Sequence, residues 1–190
     1  MEKKFCWEDE NSILQFIEDA INNVDKKYYT IKTAAHDGHT TPFFRERVFC
    51  YEFYHQMRIL QEKHNYELPS INIDAEIDKR GHDVIEEDFN PDFVFHKRGK
   101  MKNYAVIEVK LRLEDFKKDF QTLCCMINKY DYELGVFILI NNKYDKFVDK
   151  AKSELNNICF DSGRIKEKIY VLCKENKESD LIRKKLSEII

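Results

Sequence analysis

The chain has few residues that break regular structure and no segment that would cross a membrane. Its 190 residues include 5 glycines and 3 prolines, which leaves little room for long linkers between domains. No apolar run approaches the roughly 20 residues of a membrane span, and the N-terminus lacks the apolar core of a signal peptide. We therefore expect a cytoplasmic protein without a membrane partner, folded as a single domain over residues 1–190.

The cysteines do not have the spacing of a zinc site or of a disulfide framework. No pair of them forms a Cys-x-x-Cys motif, and most lie in apolar stretches, where cysteine behaves as a small hydrophobic residue. The sequence therefore predicts buried free thiols at Cys6, Cys50, Cys124, Cys125, Cys159 and Cys173.

Charge of neither sign dominates the composition. The formal net charge is −3, which does not favour strong non-specific binding to nucleic acid, because phosphate contacts by Lys and Arg dominate such affinity. A local basic patch can coexist with this net charge, and a short glycine-containing segment carries one, formed by Lys97, Arg98, Lys100 and Lys102. The patch is either a contact for nucleic acid or an ordinary solvated loop.

Two strand-like segments flank the basic patch. Residues 92–96 and 104–111 are rich in aromatic and β-branched side chains, which favour strands. The segment between them, 97–103, is mostly polar and contains Gly99, as is typical of a hairpin loop. The three segments together predict an antiparallel β-hairpin.

The predicted register of this hairpin brings two acids and a lysine to one face. With the turn centred near Gly99 and Lys100, Asp92 lies opposite Glu108, with Cβ atoms roughly 5 Å apart. Side chains alternate along a strand, so Glu108 and Lys110 share a face. The other face is predicted to be wholly apolar and to pack on the core; it consists of Ala105, Ile107, Val109 and Leu111.

The acidic pair suggests a metal site. Two carboxylates this close repel each other without a counter-charge, and Mg²⁺ needs only one or two carboxylates besides waters and a substrate phosphate. The ion would polarise a phosphoryl oxygen and help to generate hydroxide. Lys110 could position or deprotonate the attacking water, or neutralise charge on the phosphorane. The alternative is a solvated face of a sheet, where such side chains are common.

Pro91-Asp92 followed by Glu108-Val109-Lys110 resembles the motif of the PD-(D/E)XK nuclease superfamily, which has the restriction-endonuclease-like fold. The resemblance implies an α/β protein with three α/β/α layers, a mixed central sheet and an αβββαβ core. It also implies a Mg²⁺-dependent nuclease, for which Mn²⁺ is expected to substitute. Asp92 and Glu108 would be the metal ligands and Lys110 the catalytic lysine. The expected partner is nucleic acid, with DNA favoured, and a homodimer is compatible with the resemblance.

Two further residues follow from the same resemblance. Members of the superfamily often carry an assisting acid on a helix before the core sheet, which implies Glu52, with Glu46 as the reserve. Either acid could instead pair with a neighbouring arginine. Some members place a glutamine on the helix after the lysine, where this chain has Gln121; the alternative is a neutral residue on the helix surface.

The periodicity of apolar residues supplies the remaining elements. Their order, α, α, β, β, β, α, β, α, β, α, predicts a mixed sheet with helices on both faces and matches the resembled core. A helical N-terminal part would cover about 1–65 and the core about 66–190. The predicted helices are 11–27, 42–63 (opened by Pro42), 113–129, 146–158 and 179–190, and the strands are 71–77, 92–96, 104–111, 134–140 and 168–172.

The leading hypothesis is a Mg²⁺-dependent nuclease that hydrolyses phosphodiester bonds. The alternative is a catalytically inactive nuclease-like module that binds nucleic acid or a protein partner. The low basicity favours this alternative weakly. The complete set of Asp92, Glu108 and Lys110 argues against it, because a binding module has no evident use for mutually repelling acids.

Overall fold

A six-stranded mixed sheet organises the chain in the computed structural model. The strand order is β3-β4-β5-β6-β7-β8, with β5, β6 and β7 parallel and the other neighbours antiparallel. The predicted α/β class with a mixed sheet is therefore confirmed. The strands are β3 Asn72–Ala75, β4 Phe93–Lys97, β5 Lys102–Lys110, β6 Tyr132–Ile140, β7 Ile169–Lys174 and β8 Ile182–Lys185. The structure describes residues 9–34, 40–43, 45–63, 71–75, 90–97, 99–100, 102–158 and 163–190.

Helices connect and cover these strands. The first begins after Asp9, whose carboxylate accepts a hydrogen bond from the Ser12 amide at 3.1 Å, as an N-cap does. Within the described residues, no helix combines the length and apolar character that crossing a membrane requires. The helices are α1 Glu10–Asn23, α2 Lys26–Tyr29, α3 Glu46–Lys63, α4 Phe116–Lys129, α5 Tyr144–Glu154 and α6 Gly163–Lys168, with 3₁₀ turns at Leu155–Asn157 and Leu186–Glu188.

The sheet has an apolar core on each face. Ile107 and Val109 of β5 pack in a cluster that includes buried side chains of α1 and α3, whereas Val106 belongs to a second cluster with α4 and α5. This alternation follows from the period of two along a strand. The predicted apolar stripe is confirmed, since all four of its members are buried in the first cluster: Ala105, Ile107, Val109 and Leu111.

The hairpin between β4 and β5 has the predicted register. Phe93 pairs with Ile107 and Phe95 with Ala105, so that continuing the ladder by one step sets Asp92 opposite Glu108. Gly99 lies in the turn with a φ of 72°, a left-handed conformation that glycine adopts without strain. A bulge after Phe95 shifts the pairing nearer the turn but leaves the end that carries the acids unchanged.

The N-terminal prediction was wrong at Pro42. The sequence predicts that Pro42 opens a helix, but the chain forms a small antiparallel hairpin of β1 Ile31–Ala34 and β2 Thr40–Phe43. Pro42 therefore lies in a two-stranded sheet, where an edge position tolerates its missing N–H. Helix α3 begins four residues later, at Glu46, and this displacement matters for the site.

The predicted C-terminal helix 179–190 was also wrong. The chain instead adds β8 to the edge of the sheet, antiparallel to β7, and ends with the 3₁₀ turn Leu186–Glu188. Pairing with β7 satisfies backbone groups that an unpaired edge would leave to solvent. Helix α6 is not among the predicted helices. Residues 81–89, an acidic segment of the sequence, lie outside the described residues.

Candidate active site

Asp92 lies where the β4–β5 ladder ends. Its Oδ2 atom accepts a hydrogen bond of 2.7 Å from the amide of Val109, one step beyond the last cross-strand pair of Phe93 with Ile107. Burial raises the pKa of Asp92 to about 6, against the lowering effect of the Val109 hydrogen bond. Asp92 is thus held by the backbone in a place that disfavours its charge.

Glu108 is the more deeply buried acid of the pair. Glu108 is 5% exposed. It lies on the same side of β5 as Val106 and therefore beneath α4. Burial raises its pKa well above the usual range, and the nearby charges of Asp92 and Asp119 raise it further. The two carboxyl groups interact directly, and this contact lowers the pKa of Asp92 and raises that of Glu108. The predicted proximity of Asp92 and Glu108 is therefore present.

Lys110 lies between carboxylates from two different helices. Its Nζ atom is 3.4 Å from Asp119 Oδ1 of α4 and 3.7 Å from Glu46 Oε1 of α3. Burial alone would lower the pKa of Lys110, but the attraction of Asp119 and Glu46 outweighs it and raises the pKa. Lys110 is consequently an ammonium ion at neutral pH, as a group that stabilises negative charge must be.

The carboxylate of α3 that lies beside Lys110 is that of Glu46, the reserve candidate, and not that of Glu52. Glu46 Oε2 also lies 3.4 Å from the amide of Leu111, at the end of β5. Glu52 is six residues further along α3, about 9 Å along the axis and on another side of the helix. Its carboxylate accepts a hydrogen bond of 2.7 Å from Gln56 within α3.

Asp119 is the member of the group that sequence reasoning missed. It lies on α4 and is 7% exposed, in the same stripe as the buried residues Phe116, Phe120 and Leu123. Burial raises its pKa to about 7, although the Lys110 ammonium lowers it. The available signal was an acid three residues after Phe116 and four before Leu123, within an apolar helical face where charge is costly.

The charges of this group fit a divalent cation. Asp92, Glu108, Asp119 and Glu46 surround Lys110, so that full ionisation would leave a net charge of −3. The pKa values of the first three are raised, which means that protons compensate part of the repulsion. A divalent ion could take over that role by displacing them.

The geometry limits how many side chains would hold such an ion. Among the described residues, no group of three or more His, Cys, Asp or Glu side chains is arranged to hold a metal ion. Asp92 and Glu108 are two carboxylates at hydrogen-bonding distance, and Mg²⁺ commonly takes two carboxylates and completes its shell with water and substrate. The pair therefore suits a hydrated ion rather than a cage formed by the protein.

The basic patch predicted to contact nucleic acid lies away from this site. Lys102 begins β5 at the turn end and Glu108 is six residues along it, which corresponds to about 20 Å. Lys97 ends β4 and Lys100 is exposed in the turn, whereas Arg98 lies outside the described residues. Gln121 is exposed on α4. The structure thus brings together Asp92, Glu108 and Lys110, and it places Lys97 and Lys100 at the other end of the hairpin.

Comparison with known proteins provides no relative from which a role could be transferred. No protein-family model matches the chain, and neither a curated protein nor a solved structure matches it. Functional inference consequently rests on the geometry of the site.

Proposed function

We propose that the protein is a divalent-metal-dependent nuclease of the PD-(D/E)XK type that hydrolyses phosphodiester bonds, with DNA as the favoured substrate. The observation that carries the proposal is the pairing of Asp92 with Glu108 on the face of β5 that also carries Lys110. The order α3, β3, β4, β5, α4, β6 supports a restriction-endonuclease-like fold, because it repeats the αβββαβ core of that fold.

The two acids would hold the metal and set its position. Asp92 is fixed by the Val109 amide, and Glu108 by burial under α4, so neither has to be ordered when a ligand arrives. Bound Mg²⁺ would polarise a phosphoryl oxygen and acidify a water molecule. The site lies at the carboxyl end of β5, where α/β proteins commonly bind ligands.

Lys110 would stabilise the negative charge that develops on the phosphoryl group. Its raised pKa favours this role over that of a base, because a base would have to give up its proton near neutral pH. Fixed donors that meet developing charge contribute strongly to catalysis. Glu46 would orient the ammonium from the α3 side, where its two oxygens meet Lys110 and the Leu111 amide.

The test is cleavage of supercoiled, linear and single-stranded DNA and of RNA in Mg²⁺ or Mn²⁺. Wild type is expected to cut at least one substrate, whereas Asp92→Asn and Lys110→Gln should lose about 100-fold or more. Asp149→Asn and Lys146→Gln, which alter exposed side chains of α5, are the matched controls. Equal activity of Asp92→Asn, Lys110→Gln and wild type would refute the site.

Metal titration separates this proposal from the non-catalytic alternative. A nuclease should bind Mn²⁺ by calorimetry in a way that Asp92→Asn abolishes and Asp149→Asn does not. Failure of wild type both to bind Mn²⁺ and to cut any of the four substrates would favour a nuclease-like module that binds nucleic acid or a protein without cutting it.

A further inference from the structure

Asp119 is an unusual residue for its place in the fold. It lies in the buried stripe of α4 between aromatic side chains and is almost fully buried. A leucine or phenylalanine at this position would continue the apolar face, since α4 otherwise packs against the sheet through Phe116, Phe120 and Leu123. A carboxylate is retained in such surroundings only where a charged or polar group meets it.

The two oxygens of Asp119 are used unequally. Oδ1 lies 3.4 Å from Lys110 Nζ. Oδ2 is fully shielded from solvent and finds no hydrogen-bond partner within the part of the chain that the structure describes. A buried acceptor without a partner calls for an explanation, such as a water or a functional role. This carboxylate therefore has one oxygen on the lysine and one left for a further donor.

Lys110 is held from both faces of the sheet by this arrangement. Glu46 approaches it from α3 and Asp119 from α4, on opposite sides of β5. The side chain of Glu46 is 38% exposed and that of Asp119 10% exposed, so water and salt weaken the Glu46 contact more. Asp119 is consequently the firmer of the two anchors for a long and flexible lysine side chain.

We propose that Asp119 is a positioning residue, which fixes the Lys110 ammonium through Oδ1. This inference rests on the proposed nuclease function for its catalytic consequence, but the fixing of Lys110 is a property of the protein alone.

The first test measures Lys110 without any cleavage assay. Metal-free protein is treated with a limiting amine-acylating reagent at neutral pH, and modification of Lys110 is quantified by peptide mass spectrometry relative to exposed Lys146. Asp119→Asn keeps the shape of the side chain and removes its charge, so Lys110 should react several-fold faster than in wild type, a ratio in line with the loss of one ion pair. Unchanged reactivity would overturn the proposal.

The second test separates positioning from binding. Asp119→Asn should lower kcat by about 100-fold, because a misplaced lysine costs rate, while KM and Mn²⁺ affinity stay as in wild type. Asp119→Glu keeps the charge and should recover part of kcat. The matched control is Thr122→Val on the same helix, which removes a buried hydroxyl bonded to the Lys118 carbonyl at 3.1 Å and should leave kcat unchanged.

The outcomes distinguish the two proposals. If wild type does not cut nucleic acid but Lys110 is protected by Asp119, the nuclease function fails and the positioning role stands. If wild type cuts and Asp119→Asn cuts equally well, with Lys110 equally protected, the positioning role fails alone. Should Asp119→Asn not fold, Asp119→Ser removes the same carboxylate for both tests.

Discussion

The metal-free protein should become less stable as pH rises, because its site holds acids in a place that disfavours their charge. Asp92 has a pKa raised from 3.8 to about 6, and Asp119 from 3.8 to about 7. An acid whose pKa is raised in the folded state does not lower the stability at a pH below its unfolded pKa, because it is then protonated in both states. The stability is lost as pH rises through the folded pKa. Replacing Asp92 by Asn, which is neutral at every pH, removes its share of this loss.

The magnitude follows from the two pKa values of Asp92. A difference of about 2 between the folded and unfolded states corresponds to about 3 kcal/mol once the carboxylate is ionised in both. The difference in the free energy of unfolding between Asp92→Asn and wild type should therefore grow from about 1 kcal/mol at about pH 4.5 to about 3 kcal/mol at about pH 8. For a chain of this length, about 3 kcal/mol corresponds to a rise in Tm of about 6–12 °C.

The assay is urea unfolding of wild type and Asp92→Asn at several pH values in the presence of a chelator. The measured quantity is the difference in the free energy of unfolding, in which the contributions of groups that titrate alike in both proteins cancel. Asp149→Asn, on the exposed side of α5, is the matched control. A flat difference for Asp92→Asn would refute the reasoning, because it would mean that Asp92 ionises as freely in the folded as in the unfolded chain.

Three further predictions concern the metal, the assisting acid and the packing of α4. In calorimetry, Mn²⁺ at about 100 times its Kd should raise the free energy of unfolding of wild type by about 2.7 kcal/mol but leave that of Asp92→Asn unchanged. An equal rise in both proteins would exclude Asp92 as a ligand. Glu46→Gln should lower the cleavage rate by about 10-fold or more, whereas Glu52→Gln should not, and equal losses would contradict the assignment of Glu46. Gly135→Val should cost about 1–3 kcal/mol in urea unfolding, since a Cβ at Gly135 would lie 3.1 Å from Ile127 Cδ1 of α4; unchanged stability would argue against this contact.

The central hairpin could be predicted because its determinants are local. Gly99 supplies the left-handed turn residue, and the alternation of apolar side chains fixes which face of each strand is buried. Because the turn and the orientation of each strand are both determined, Phe93 must pair with Ile107. That pairing in turn brings Asp92 close to Glu108. A shift of one residue would have turned Lys110 toward the cluster with α1 and α3 and Val109 toward α4.

The position of Glu46 beside Lys110 could not be predicted because it depends on where a helix begins. A helix that started at Pro42 would place Glu46 in its second turn. In the structure α3 starts at Glu46 itself, so its side chain lies at the end of the helix and reaches the Leu111 amide at the end of β5. The difference arises from the pairing of Thr40–Phe43 with Ile31–Ala34, a contact between segments that local propensity does not reveal.

The C-terminal strand and Asp119 were missed for a related reason. The segment Ile182–Lys185 has little apolar alternation and becomes a strand because β7 offers it an edge. Asp119 occupies an apolar stripe of α4, and only the packing of α4 on the sheet shows that the stripe passes Lys110 at this point. Both features depend on a tertiary neighbour and not on the segment's own composition.

The position of β5 in the sheet explains why these charged groups meet. It is the strand that pairs antiparallel with β4 on one side and parallel with β6 on the other. The end of the hairpin therefore delivers Asp92, and the crossover helix that leads from β5 to β6 delivers Asp119. Near the carboxyl end of β5, groups on both faces of the sheet take part in the site. Glu108 and Lys110 project under α4, whereas the backbone amide of Leu111 meets Glu46 of α3. A cluster with this many ionisable groups lowers the stability of the metal-free fold. The proposed site for a cation and a phosphate would explain why the fold tolerates this loss of stability.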